Sequence, residues 1–434
     1  MIGLVITILI DVSVVKVNDL IDKYFIPMQN KLILFSVNST VCLLLQYLTI
    51  TYIKKSFEVD RSSKTLKTKL FNLISIISFA LLSSLIGLLI FQQFLYEYYE
   101  SWTSILLIII SYGTAAALIA WLAKLFLSWY QSNRNLIVFL YFVSMLVIAF
   151  NLVMAATSVT LKQDMRPAQI LEQVGSSGDT SGPKFMIIER IYGITSLMAF
   201  VSIWLTTAIL MNYYREKLIN VILYWVLLAI PIVYFVITFF YQYTLSTLLI
   251  SYIELDPVTV SIFLGAFLSL SKPIGGLLFG AAFWNVSGSV KYDRKIRSFM
   301  IISGWGIFLI FAANQAGAQI IAPYPPFGLV TVTVLNLAAY LMLIGIYNSA
   351  TLVSANDNLR KTIRKHAVQS KLLDLIGHAE MEREIQKTVS DIIREQELTD
   401  IHTGTISELD EIELKRYLDI VIKEVKLKGT NESP

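Results

Sequence analysis

Nine stretches of this sequence stay apolar for more than twenty residues, at 31–53, 70–95, 103–130, 136–157, 191–213, 218–244, 258–284, 298–321 and 327–353. A helix needs about 20 apolar residues to cross a hydrocarbon core of ~30 Å. In lipid, only helices and closed barrels satisfy their own backbone groups, and a barrel strand is about half this length. The sequence therefore predicts an all-α polytopic membrane protein with nine transmembrane helices, ten if the first residues also cross. Composition agrees, at 56% hydrophobic and 15% charged, where a soluble domain carries about 25% charge.

The loops alternate in charge. Segment 54–69 carries Lys54, Lys55, Arg61, Lys64, Lys67 and Lys69, and 285–297 carries Lys291, Arg294, Lys295 and Arg297. Between them, 96–102 and 245–257 hold acids and no base, and beyond them 322–326 is uncharged. The positive-inside rule puts the basic loops in the cytoplasm. The tail that opens with Arg360, Lys361, Arg364 and Lys365 goes with them, which predicts a multi-pass plasma-membrane protein with its C-terminus inside. Trp102 falls at an outer end, and Trp129 and Trp284 at inner ends, where interfacial aromatics are favoured. Loop 158–190 is the longest outside segment and contains the flexible run VGSSGDTSGP. Three segments follow. Residues 1–30 form an amphipathic surface segment or a short span, 31–353 the bundle, and 354–434 a helical tail.

Within 258–284 the run SLSKPIGGLLFG places a lysine where lipid is expected. About 15 residues separate Pro257 from Lys272, roughly 22 Å of helix, which is short of a full crossing. This predicts Lys272 in the inner-middle third of the bilayer, where an ammonium needs a partner or a cavity. Pro273, Gly275, Gly276 and Gly280 predict a helix break or a close helix crossing, since Pro273 removes a backbone bond and Gly276-xxx-Gly280 admits a neighbouring backbone. Ser269 and Ser271 are candidates to satisfy freed carbonyls.

None of the nine spans has an Asp or Glu in its interior, so the expected partners of Lys272 are neutral. They are Asn151, Asn314, Gln315, Gln319 and Asn336. Such a group at a helix break would suit an anionic small-molecule ligand. The alternative is that each amide bonds a neighbouring helix, which is common in bundles.

The chemistry of many enzyme classes has no residues here. The three histidines, His366, His378 and His402, all lie in the tail, so no haem, copper or zinc set falls in the membrane. Cys42 is the only cysteine, which excludes an intrachain disulfide. No nucleotide or metalloprotease motif is present. No cofactor, no metal, no nucleic-acid partner and no enzymatic activity are expected.

In the tail, residues 355–398 read as one charged helix leaving the last span. Leu372, Ile376 and Ala379 form one apolar run, and Ile385, Val389 and Ile392 a second in another register. A turn is expected at 399–404 and a second helix after it, with Thr405 and Glu408 at capping-box spacing and Leu414, Leu418, Val421 and Val425 on its apolar face. The run GTISELDE resembles the second half of an EF-hand loop. Thr399, Ile401 and Thr403 stand where calcium ligands would precede it, so calcium binding is not expected. A helical hairpin or short coiled coil is expected, meeting a protein partner or a second copy through 355–427. The sequence thus predicts a receptor-like or scaffolding membrane protein whose bundle, in contact with lipids, couples to the tail. The alternative is a secondary transporter or channel with its site at Lys272.

Overall fold

The computed structural model describes residues 1–24, 28–58, 66–96, 101–164, 183–212, 221–240, 267, 270–290, 293–314, 325–356, 359–361, 363 and 371–403. These residues are all-helical apart from turns. The helices are α1 (Ile2–Tyr24), α2 (Met28–Glu58), α3 (Leu66–Tyr96), α4 (Ser101–Ser132), α5 (Leu136–Asp164), α6 (Pro183–Asn212), α7 (Val221–Phe240), α8 (Ser271–Ser289), α9 (Arg294–Ala313), α10 (Leu329–Ala355) and α11 (Lys371–Thr403). Among the described residues, seven helices are long and apolar enough to cross a membrane: α2 to α6, α9 and α10. The expected span at 218–244 contributes the shorter apolar stretch Tyr224–Thr238 of α7. Of 258–284, the helix from Ser271 is described together with Phe267 and Leu270.

Helix α10 is the axis of the fold. Its best apolar window is buried along its whole length, whereas a third of the corresponding windows of α2 and α3 is buried. It packs on α1, α2, α3, α4, α9 and α11. The peripheral helices turn apolar stripes outward. On α3, Leu73, Ile76, Ile77, Leu81 and Leu88 are all exposed. Soluble monomers rarely expose continuous apolar faces of this extent, and lipid is the solvent such stripes suit.

Glycines set the spacing inside α8, α9 and α10. A Cβ built on Gly280 would lie 2.7 Å from the Gly304 carbonyl oxygen, and one on Gly304 would lie 2.8 Å from that of Gly280. On the opposite side of α9, a Cβ on Gly306 would lie 2.9 Å from Ala338 O of α10. These backbones therefore touch without intervening side chains, the arrangement that small residues permit in membrane bundles. Phe200 of α6 joins three further helices. It stacks on Phe235 of α7 at 4.1 Å between centroids and meets Phe279 of α8 and Phe311 of α9 edge-on. Its ring fills the space beside Gly275 that a side chain would need.

Pro231 lies inside α7. It cannot donate to the carbonyl four residues earlier. One residue beyond that carbonyl, Trp204 Nε1 of α6 donates to Leu228 O at 2.8 Å, and Tyr224 OH donates back to Ala208 O at 3.0 Å. A neighbouring helix thus compensates backbone polarity next to the proline.

Two sequence expectations for the termini differ from the structure. The long helix expected from residue 355 is broken at once. Asn356 is extended, and its side-chain oxygen accepts from Leu359 N at 3.1 Å, starting a new turn. Asparagine competes for backbone donors in this way and favours helix ends. Helix α11 then returns to the bundle and runs to Thr403, so 399–403 is helical instead of a turn. The expected second tail helix, with Thr405, Glu408 and Leu414 to Val425, lies outside the described residues. At the other end of the chain, α1 packs inward. Leu4, Ile8 and Val12 are buried, and Asn38 Nδ2 of α2 donates to Thr7 O at 3.2 Å. Lys16, Asp19, Asp22 and Lys23 have no described side chains.

Candidate functional site

Polar contacts concentrate at the two ends of α10. At the end far from the tail, Lys272 lies in the first turn of α8, with Leu270 as N-cap. Pro273 is the third residue of the helix, where a backbone N–H has no intrahelical acceptor, so its missing donor leaves no gap. The facing helix α9 ends at Asn314, its C-cap. Lys272 Nζ donates to Asn314 O and to Tyr192 OH of α6, each at 3.1 Å. An ammonium at a helix C-terminus is favoured by the macrodipole and by the orphan carbonyls there. Helices α8 and α9 each span about 28–30 Å, and Lys272 stands at the far end of both. Residues 241–266, the earlier part of the expected span, lie outside the described residues.

The amides expected near Lys272 divide. Asn314 Nδ2 donates to Asn151 Oδ1 at 2.9 Å, and Asn151 Nδ2 donates to Thr195 Oγ1 at 3.1 Å. Lys272, Tyr192, Asn314, Asn151 and Thr195 are thereby one connected group across α5, α6, α8 and α9. Asn314 Oδ1 is buried without a hydrogen-bond partner among the described residues. Ser271 is buried as the first residue of α8. Asn336 belongs to α10, three residues after Thr333 on the same face, and its buried Oδ1 has no partner. Ser269, Gln315 and Gln319 lie outside the described residues. Tyr192 and Thr195 carry no sequence signal beyond a polar atom near a span end.

Lys272→Met keeps the apolar stem and removes the ammonium. The loss of a helix-end charge is expected to lower stability by about 0.3–2 kcal/mol. Thermal unfolding in lipid, with Lys272→Arg as the charge-retaining control, checks this.

The second group at this end includes a carboxylate, contributed from outside the nine expected spans. Asp11 of α1 is fully buried. Its Oδ2 accepts from Thr331 N at 2.9 Å and from Thr331 Oγ1 at 2.7 Å. The N-cap of α10 is Gly328, with φ 94°, which has no side chain to cap the helix. Asp11 supplies the missing acceptor from 320 residues away, and it places negative charge at the positive end of the helix. The same layer holds Gln46, whose Nε2 donates to Thr333 Oγ1 at 2.9 Å, and Ser111, whose hydroxyl donates to Val332 O.

At the tail end, α11 is seated against α10, α4 and α5. Leu372, Leu373, Leu375, Ile376 and Ala379 are buried, whereas Ile385 of the second run is 38% exposed. The two registers therefore have different surroundings. Trp129 of α4 is 0% exposed, and its Nε1 donates to Glu380 Oε2 at 2.6 Å. Arg383 Nη1 bonds the same oxygen at 2.8 Å. Arg360 donates to Ser354 O at 2.9 Å and contacts the Met381 sulfur. Gly377 lies against the side chain of Val353.

Comparison with protein families, curated proteins and solved structures found no match. The fold itself defines a class: an all-helical chain with several helices fit for membrane insertion. Among the described residues, polar side chains meet at both ends of α10 and also midway along it, where Tyr340 OH donates to Asn72 Oδ1 at 2.8 Å.

Proposed function

We propose that this chain is a receptor-like or scaffolding protein of the plasma membrane in which the bundle and a cytoplasmic helix act as one coupled body. The observation that carries this reading is the buried Trp129–Glu380 hydrogen bond, which ties α11 to α4 beside the end of α10. Helix α10 is about 40 Å long and touches polar groups at its far end and α11 at the other, so a shift at one end has a rigid route to the other. Cytoplasmic placement of α11 is supported by Arg294, Lys295 and Arg297 at the start of α9 and by Arg360 and Lys361 after α10, under the positive-inside rule. The exposed part of α11, around Ile385, is the surface offered to a protein partner or a second copy.

Trp129→Phe removes the tether and keeps most of the ring volume. A buried hydrogen bond to a charged group contributes about 1.5–3 kcal/mol. Amide exchange over residues 371–382 is therefore expected to rise roughly tenfold to a hundredfold. The same cells report function, with cross-linking to neighbours read from a photoreactive group at position 385. Released α11 with unaltered neighbours and unaltered responses would sink the relay reading.

A second reading, a secondary transporter or channel with its site at Lys272, is favoured by two observations. Lys272, Asn314 and Asn151 form one polar group, and Asp11 is a buried carboxylate of the kind proton-coupled carriers use. Here Lys272→Ala abolishes anion flux in liposomes, and removal of α11 leaves that flux intact.

A further inference from the structure

The carboxyl group of Asp11 lies against the first turn of α10, near the backbone of Gly328 as well as Thr331. Oδ2 takes both donors of Thr331, while Oδ1 is buried and has no hydrogen-bond partner among the described residues. The side chain is 0% exposed. A buried carboxylate oxygen without a donor is costly in a medium of low polarity, so its presence calls for a ligand at Oδ1.

We propose that Asp11 is a proton-binding site. A proton from bulk water adds to Oδ1 and returns to water on release, with no other bond made or broken. The carbonyl oxygen Oδ2 continues to accept from Thr331 N–H and O–H in both states. What changes is the charge: protonation removes the negative group that faces the first turn of α10.

A metal cation fits less well. Hard cations take several oxygens, whereas one Asp11 oxygen is already committed to two donors. The nearby helix end is also positive. The charged and titratable groups on the helices packed against α1 support a site governed by the proton. On α2, Lys31 is buried one turn before Phe35, whose ring meets Phe327 beside the Gly328 cap; Cys42 lies about two turns beyond Phe35, and Tyr47, Tyr52, Lys54 and Lys55 lie further toward the other end of the helix. On α10, Tyr340 and Tyr347 lie further toward the tail. On α9, Arg294, Lys295 and Arg297 stand at the opposite end.

The site itself does not depend on the relay reading; its consequence for the tail does. Because Asp11 holds the N-terminal turn of α10 and α11 is seated at the other end, proton occupancy becomes an input to the tail.

The test is difference infrared spectroscopy of the whole protein in lipid, following carboxyl C=O stretching through a pH series with carbon-13 aspartate. The expected result is an aspartic carboxyl band that appears on acidification and is lost in Asp11→Asn. In Asp11→Glu the expected band persists and no longer shifts with aspartate labelling, which decides the matter if Asp11→Asn does not fold. A pH series in which no band is removed by Asp11→Asn or relabelled by Asp11→Glu overturns the proposal, whether Asp11 stays charged or stays protonated throughout. Amide exchange of residues 371–382 in Asp11→Asn then tests the relay separately. A titrating band with unchanged α11 exchange keeps the proton site and removes the relay.

Discussion

Gly280→Leu is expected to abolish the folded bundle. A Cβ at this position meets the Gly304 carbonyl at 2.7 Å, and the contact is reciprocal. Helix α9 cannot retreat, because its opposite face rests on α10 through Gly306. A Cβ on Gly345 of α10 would likewise lie 2.6 Å from the Phe299 carbonyl. Overpacking a close-packed site costs about 1–3 kcal/mol, and more where neighbours cannot yield. With backbone on both sides of α9, the upper end or beyond is expected, which is a large part of a typical folding free energy of about 5–15 kcal/mol. The checks are the yield of monodisperse protein after extraction and its unfolding temperature. Gly87→Ala is the control, since no atom lies within 4 Å of a Cβ there. Equal stability of Gly280→Leu and the parent chain would show that α8 and α9 do not cross as described.

Gly377→Leu is expected to release α11 and leave the rest intact. The added side chain meets Val353, which is buried in α10. Leucine is a better helix former than glycine by about 0.8–1 kcal/mol, so the tail helix itself persists. What is lost is its seat, and with it the burial of Leu372, Leu373, Ile376 and Ala379. Each such side chain contributes on the order of 1–3 kcal/mol when buried. Circular dichroism should show unchanged helicity, while protease sites within 371–382 become accessible and α9 and α10 remain protected. Loss of helicity, or a tail that stays protected, would contradict this account of the docking.

The long apolar helices were legible because apolar length is a one-dimensional property. Blocks at 31–53, 70–95, 103–130, 136–157, 191–213, 298–321 and 327–353 each correspond to a long apolar helix. Contacts between distant segments were not legible. Asp11 follows ten nearly uninterrupted apolar residues and reads as the polar flank of a short block. Its partner, Thr331, is ordinary in its own setting, and only the missing side chain of Gly328 hints that a cap must come from elsewhere. Trp129 reads as an interfacial aromatic because its position near a span end suits that role. Its partner, Glu380, lies in a segment that reads as solvated. Gly276 and Gly280 signal that some backbone comes near, without saying which.

The enclosure of α10 has a consequence for biosynthesis. The helix at the centre of the bundle leaves the ribosome after α1, α2 and α4 have already been made. Until residues 329–336 arrive, Asp11, Gln46 and Ser111 lack the partners they bond in the finished structure. The earlier helices must therefore wait as a loose, partly polar group, with an open slot where α10 will go. Chains truncated before Leu329 should be held by insertion machinery or degraded, and assembly of the bundle becomes a single late event instead of a helix-by-helix accretion.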